Sequence, residues 1–407
     1  MNGYSSQFSE LRKLFKIKDK KKRINSCRNQ VTMFSQLLLS WFVVVFFISG
    51  LLINLVQLCV LPLYWIHRKL YHVLISKLCY CLYSEITFLA EWWSEIDLHV
   101  YGAKHDVEMM AKENWLAVSN HLSDIDWLIA WVFSERTGIL GGTTCFIKDS
   151  VKYVPTVGWA YWFAEWGFLK RDWNKDEQRM INTLNTLKND KPAYYMMLYC
   201  EGTRRTAAKI QASREYAQRN NIEPLEHHLL PRTKGFAFSV QQLRDNVPAV
   251  YDVEMAFPDV ESATITNLLK RSKIEVHLHI RRIPAASVPC SSTEEASNYC
   301  MQLYRNKDQL MEQYVKTGKF PDREVQIRRG YSNLVTFAIH NIIVAFIFVY
   351  LAKLYGVVTV ATIVLLLAIS GKHLTFREKR TSRKKCLILN KLRCGILRVI
   401  ICCLRKF

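Results

Sequence analysis

The sequence predicts an α/β protein, a mixed, largely parallel sheet flanked by helices, with N-terminal membrane helices and a C-terminal transmembrane helix pair. Three observations lead there. Between about Val100 and Arg323, short apolar runs alternate with polar helical stretches; residues Met33 to Ile66 carry no charge; and a second apolar block runs from Tyr331 to Ser370. Strands interleaved with helices argue for parallel strands joined through helices.

Charge and apolarity are segregated along the chain. Half of the 407 residues are hydrophobic, yet the net charge is +21. Residues 1–32 hold nine Lys/Arg against Glu10 and Asp19, and residues 372–407 hold twelve against Glu378 alone. Each basic end directly adjoins an apolar run. That pattern favours anionic membrane lipids as partners of the tails and argues against nucleic acid. The twelve cysteines are scattered, which is no disulfide framework and suits a reducing compartment.

The first element is a basic N-terminal segment, 1–32, expected in the cytosol. Residues 33–98 follow as an N-terminal membrane-embedded helical region. A straight helix over 33–66 would overshoot a hydrocarbon core of roughly 30 Å. Gly50 and Pro62 offer places to bend, so a span with an interfacial stretch and a hairpin that dips and returns both fit. Residues 326–371 hold two transmembrane helices, separated near Lys353, Tyr355 and Gly356. The tail 372–407 reads as a basic amphipathic surface segment, in which Cys402 and Cys403 are interfacial hydrophobes or lipidation sites. Positive charge at both ends places both in the cytosol and requires an even number of crossings, with the middle of the chain in the cytosol if each block returns to its own side and in the lumen if each block crosses once.

Within the α/β domain, 99–325, Trp115–Ser119, Phe168–Lys170, Tyr195–Cys200, Ala249–Ala256 and Ile274–Ile280 read as strands. Asp176–Lys188, Ala207–Asn220 and Phe236–Arg244 read as helices. Loops at the C-terminal ends of such strands are where chemistry collects.

Three motifs occupy such loops. Asn120-His121-Leu122-Ser123-Asp124-Ile125-Asp126 follows the first of these strands, and a carboxylate five residues after a histidine can reach one imidazole nitrogen and leave the other to accept a proton. The same residues suit a plain helix cap, since Ser123 and Asp124 are good capping types. Glu201-Gly202-Thr203-Arg204 offers a close backbone approach, hydroxyl partners and a guanidinium fork for phosphate, or simply a surface turn. Gly167-Phe168-Leu169-Lys170-Arg171 is a strand ending in cations. No histidine, cysteine or carboxylate group has metal-ligand spacing, so no metal is expected.

Taken together these blocks resemble the glycerolipid acyltransferase family, whose pattern is Asn-His-x4-Asp, a Gly/Phe-rich block ending in Arg, Glu-Gly-Thr-Arg, and a later Val-Pro strand, here Val247-Pro248 before Ala249. The chain is closer still to the animal 1-acylglycerol-3-phosphate acyltransferases of the gamma and delta type. It shares Leu-Leu-Pro-Arg-Thr-Lys-Gly-Phe (Leu229 to Phe236), Glu91-Trp92-Trp93, and Tyr-Val-Pro-x-x-Gly-Trp (Tyr153 to Trp159). It departs at Arg205, where that subgroup usually has an aromatic residue.

The resemblance implies transfer of an acyl group from acyl-CoA to the sn-2 hydroxyl of lysophosphatidic acid, giving phosphatidic acid. It assigns His121 as general base and Asp126 as its orienting carboxylate. Backbone N–H groups at the helix start near His121 would meet the oxyanion. Arg171 and Arg204, with Lys148, would clamp the acceptor phosphate, while Glu201, Gly202 and Thr203 would face the glycerol backbone. Coenzyme A enters as co-substrate, so no bound cofactor is expected; the endoplasmic reticulum is the implied membrane. Three alternatives share these features: acylation of other lysophospholipids, acylation of glycerol-3-phosphate, and a catalytically silent membrane-shaping protein. The intact His121/Asp126 pair counts against the last.

Overall fold

The computed structural model describes residues 34–356 and Thr362. The charge-free run forms α1 (Phe34–Val60), a turn at Leu61 and Pro62, and the short α2 (Leu63–Ile66). Next comes α3 (Arg68–Phe88), which continues through a π-turn to Trp93. The chain bends at Pro62 alone. Gly50 lies inside α1, and what it supplies is room, because a Cβ there would meet Thr156 Cβ at 2.9 Å.

The order then runs β1 (Asp97–Gly102), α4 (Lys104–Met110), β2 (Trp115–Ser119), α5 (Asp126–Arg136), β3 (Thr143–Lys148) and α6 (Val157–Phe163). After these come β4 (Gly167–Leu169), α7 (Trp173–Asn189), β5 (Tyr195–Leu198), α8 (Ala207–Arg219) and α9 (Thr233–Leu243). The last elements are β6 (Ala249–Ala256), α10 (Ile265–Leu269), β7 (Glu275–Pro284), α11 (Thr293–Thr317), β8 (Glu324–Val325) and α12 (Ser332–Tyr355).

Among the described residues three helices are long and apolar enough to cross a membrane: α1, α3 with its extension, and α12; of these α3 is the least apolar. Only the first helix of the expected C-terminal pair is described. Its partner (Thr362 apart), the segment 1–32 and the tail 372–407 with Cys402 and Cys403 lie outside the described residues.

The described chain falls into two compact units. One comprises 34–47 and 344–356, in which the Trp41 and Phe348 rings lie 5.9 Å apart. The other, 48–343, contains the sheet, whose eight strands run in the order β4-β3-β5-β2-β6-β7-β1-β8. Neighbours are parallel except β6 with β7 and β1 with β8. Strands β2 and β6 are buried at every position, the unbroken apolar reading of a strand covered on both faces. On one face α7, α9 and α11 lay Leu184, Leu187, Phe236, Val240 and Tyr304 against Leu116, Met196 and Val250 of the sheet. Helix α11 begins at a capping box, with Ser292 Oγ accepting from Glu295 N (3.0 Å) and the Glu295 carboxylate accepting from Ser291 N (2.8 Å).

Five strands match the sequence reading to within a few residues. Strands β1, β3 and β8 are additions. Because β2, β3, β4 and β5 run parallel, their C-terminal ends share one edge, which gathers the loops after Ser119, Lys148, Leu169 and Leu198.

Candidate active site

The edge loop after β2 is anchored before it reaches His121. Asn120 is fully buried, exchanges two 2.8 Å hydrogen bonds with the Met255 backbone and donates to Glu254 Oε1 at 2.7 Å. It stitches the end of β2 to β6. His121 follows with its side chain 13% exposed and Nδ1 2.9 Å from Asp126 Oδ2. The same oxygen accepts from Leu122 N (2.6 Å) and Ser123 N (2.9 Å). Asp126, the first residue of α5, therefore both ties down its loop and partners the imidazole, whereas the capping reading had looked to Ser123 and Asp124. With the proton on Nδ1 donated to the carboxylate, the lone pair is left on Nε2, which meets no protein partner among the described residues. The Tyr199 ring lies 5.1 Å from the imidazole, centroid to centroid.

The helix-start amides are already engaged. Those of Leu122 and Ser123 serve Asp126, Ile125 N serves Ser123 Oγ at 3.0 Å, and His121 N donates to Glu201 Oε1 at 2.9 Å. These four N–H groups are spent on the geometry of the loop and are not left for an oxyanion.

The turn after β5 lies alongside, with Arg205 N donating to the His121 carbonyl at 2.8 Å. Glu201, expected to face the glycerol, faces inward instead. It is 2% exposed, and its carboxylate accepts from His121 N and Leu229 N. Burial pushes its carboxyl up to about 7, against the pull of His228 and of those two amides. Gly202 has φ +67°, a left-handed conformation, and a Cβ there would meet Arg232 Cδ at 2.9 Å. Thr203 Oγ1 accepts from Lys209 Nζ. Arg204 is exposed and 3.7 Å from Asp124 Oδ2.

Arg171 follows β4 with φ +65°, strained for a residue with a Cβ. The Lys209 ammonium is held below its ordinary value by burial and by the charges of Arg204, Arg171 and Arg232. Lys209 is thus close enough to these three guanidinium groups to be repelled by each. Lys148, at the exposed end of β3, shows no side-chain partner among the described residues and pairs in register with Leu169, two residues before Arg171.

Arg232, Lys209 and Tyr199 were not singled out by sequence reasoning. Arg232 sits in the Leu229–Phe236 block, and its N–H donates to the Cys200 carbonyl at 2.7 Å, which draws that block against the Glu201 turn. A backbone contact of that kind has no sequence signal. Tyr199 directly precedes Cys200-Glu201, so inspection of the strand end could have found it.

Beneath the edge lies a buried ion cluster. Lys307, 1% exposed, reaches Asp252 Oδ1 (2.6 Å), Glu254 Oε2 (3.3 Å) and the Val253 carbonyl (2.5 Å). His228 bridges Glu254 (2.8 Å) and Asp308 (2.9 Å). Burial alone would lower the His228 imidazolium, but the two carboxylates outweigh it and push it up to about 9.

Residues 100–257 match the family model described as Acyltransferase, and residues 267–340 match Acyltransferase C-terminus. The 1-acyl-sn-glycerol-3-phosphate acyltransferase delta of Mus musculus is 39% identical over 281 residues, covering 69% of this chain and 74% of that one. The gamma enzyme of Homo sapiens is 38% identical over 294 residues, covering 72% of this chain and 78% of that one. Among solved structures, the 1-acyl-sn-glycerophosphate acyltransferase of Thermotoga maritima matches 66% of this chain and 97% of its own, at 17% identity and a TM-score of 0.39.

Proposed function

This chain belongs to the 1-acylglycerol-3-phosphate acyltransferase family, with delta and gamma relatives, and from that premise we propose that it transfers an acyl group from acyl-CoA to the sn-2 hydroxyl of lysophosphatidic acid. The observation that carries the proposal is an imidazole held by a carboxylate at 2.9 Å, with its second nitrogen open, beside a group of cations that gathers around Lys209. An excess of unneutralised positive charge next to a poised base suits an acceptor with a terminal phosphate and a nearby hydroxyl.

In this reading His121 Nε2 takes the hydroxyl proton as the oxygen attacks the thioester carbonyl. The C–O bond forms, the C–S bond breaks, and the imidazolium returns the proton to the departing thiolate. Asp126 fixes the tautomer and stabilises the imidazolium. Arg171, Arg204, Arg232 and Lys209 hold the phosphate, and Lys148 at the neighbouring strand end is a further cation for it. Gly202 and Thr203 line the turn under the glycerol, and Glu201 holds the His121 loop from below. The acyl chains of donor and acceptor remain with the apolar helices. The membrane is that of the endoplasmic reticulum, with the domain on the cytosolic side and the basic ends on anionic headgroups, a placement supported by the charge at both ends of the chain.

The test is an assay of detergent-purified protein with labelled acyl-CoA and a panel of lysolipids, wild type beside His121→Ala. Loss of the base should lower turnover about 1,000-fold with Tm unchanged. A wild type that acylates no acceptor, or a variant as active as wild type, would end the proposal.

A further inference from the structure

At the opposite end of the sheet from β4, the fold brings together two histidines that lie far apart in the chain. Strands β1 and β7 pair in parallel with Asp97 opposite Glu275 and His99 opposite His277. Side chains two residues apart share a face of a strand. Both carboxylates and both imidazoles therefore line one patch of the sheet. The His99 and His277 ring centroids are 5.0 Å apart. One ligand atom each from His99, His277 and Glu275 lies within 4.8 Å of the others.

The patch has features a solvated cluster of charges lacks. His277 is 4% exposed, walled in by Tyr101 and Tyr314, each 5.5 Å from its ring, and its Nδ1 is buried without a hydrogen-bond partner. His99 Nδ1 meets Glu324 Oε1 of β8 at 2.9 Å. A carboxylate on one nitrogen of a histidine is the usual support for a metal on the other. His277 Nε2 and Glu275 Oε1 are 3.2 Å apart, close to the edge of a tetrahedron with bonds of about 2.0 Å. The remaining neighbours are Asp97, 3.4 Å from His99 Nε2, and Lys273, which is largely exposed, touches Asp97 (3.3 Å) and Glu275 (3.6 Å), and is free to swing away.

We propose that His99, His277 and Glu275 form a binding site for a divalent metal of the zinc class, with solvent completing the coordination. Two imidazoles and a carboxylate are the donor set such an ion takes, whereas calcium and magnesium prefer oxygen alone. The site clamps β1 to β7 and, through Glu324, to β8, the last strand before α12. It lies outside the loops that carry His121, so it is a structural site.

Full-length protein in detergent, stripped with chelator and dialysed, is titrated with zinc chloride, and bound metal is counted by mass spectrometry. The wild type should hold one equivalent, with a higher Tm than the stripped form, and cobalt should give the absorption of a four-coordinate site. His99→Asn and Glu275→Gln, both partly exposed positions at which the fold should survive, should each weaken zinc at least tenfold, while His121→Ala should bind as wild type does. Absence of a stoichiometric ion, or equal binding by His99→Asn and Glu275→Gln, overturns the site. So does loss of the ion in His121→Ala, which would move it to the candidate active site.

Discussion

Two groups of charges lie a few residues apart around the end of β2, and they are built on opposite terms. In the inner group Lys307, His228, Asp252, Glu254 and Asp308 neutralise one another out of reach of water. In the outer group Arg171, Arg204, Arg232 and Lys209 stand together, and Asp124 is the one carboxylate within ion-pair distance of any of them among the described residues. The inner set holds the loops in place. The outer set is left with charge to give, which is what a site for an anionic ligand requires.

The contrast can be broken at its strongest point by Lys307→Met. Two carboxylates would lose their buried cation, and breaking such a network costs about 3–5 kcal/mol. Thermal unfolding in detergent should show a large fall in Tm, while protein that remains folded keeps its KM for lysophosphatidic acid. Arg232→Ala should do the reverse. Tm should hold, and KM for lysophosphatidic acid should rise about tenfold, the value of one charge-assisted hydrogen bond to phosphate, with less effect on lysophosphatidylcholine. Equal losses on both acceptors, or a Tm drop matching that of Lys307→Met, would erase the distinction.

A third expected effect is on pH. His228 titrates near 6.5 when unfolded and about 9 when folded, so its contribution is complete below 6.5 and is lost as pH rises through 9. Glu201, raised from 4.5 to about 7, adds a loss of the same sign at lower pH, because the folded protein must ionise a buried carboxyl. Tm should therefore fall between about pH 6.5 and 9, and His228→Gln should flatten that part of the curve. A Tm that rises over this range in wild type would contradict the buried cluster.

What was legible in the sequence follows the same division. His121, Asp126, Glu201 and Arg204 stand directly after apolar strands, so a local pattern exposes them. Arg232 and Lys209 reach the same edge from other loops, and only the contact of Arg232 N with the Cys200 carbonyl and of Lys209 with Thr203 assigns them to it. Glu201 was found and misdirected, since nothing local says which way a side chain turns at a strand end. Strand β1, Asp-Leu-His-Val-Tyr-Gly, does alternate polar and apolar residues, but the run is short and its partner β7 lies 178 residues on. Helix α3 was blurred by its own charges, of which Glu85 is satisfied inside the fold, accepting from Ser49 at 2.6 Å and meeting His340 at 2.7 Å.

The Glu-Trp-Trp segment at the end of α3 has a mechanical consequence. Glu91 takes Arg136 at 2.7 Å and Asn333 at 2.8 Å, Trp92 donates to Asn333 at 2.9 Å, and the Arg329 guanidinium lies over the Trp92 ring. Arg136 is the last residue of α5, and Asp126 is the first. A single rod of 11 residues, about 16 Å long, thus has one end on the imidazole and the other in a knot at the root of α12. The distance between His121 and the first turn of α12 is thus set by the length of a helix and not by the slack of a loop.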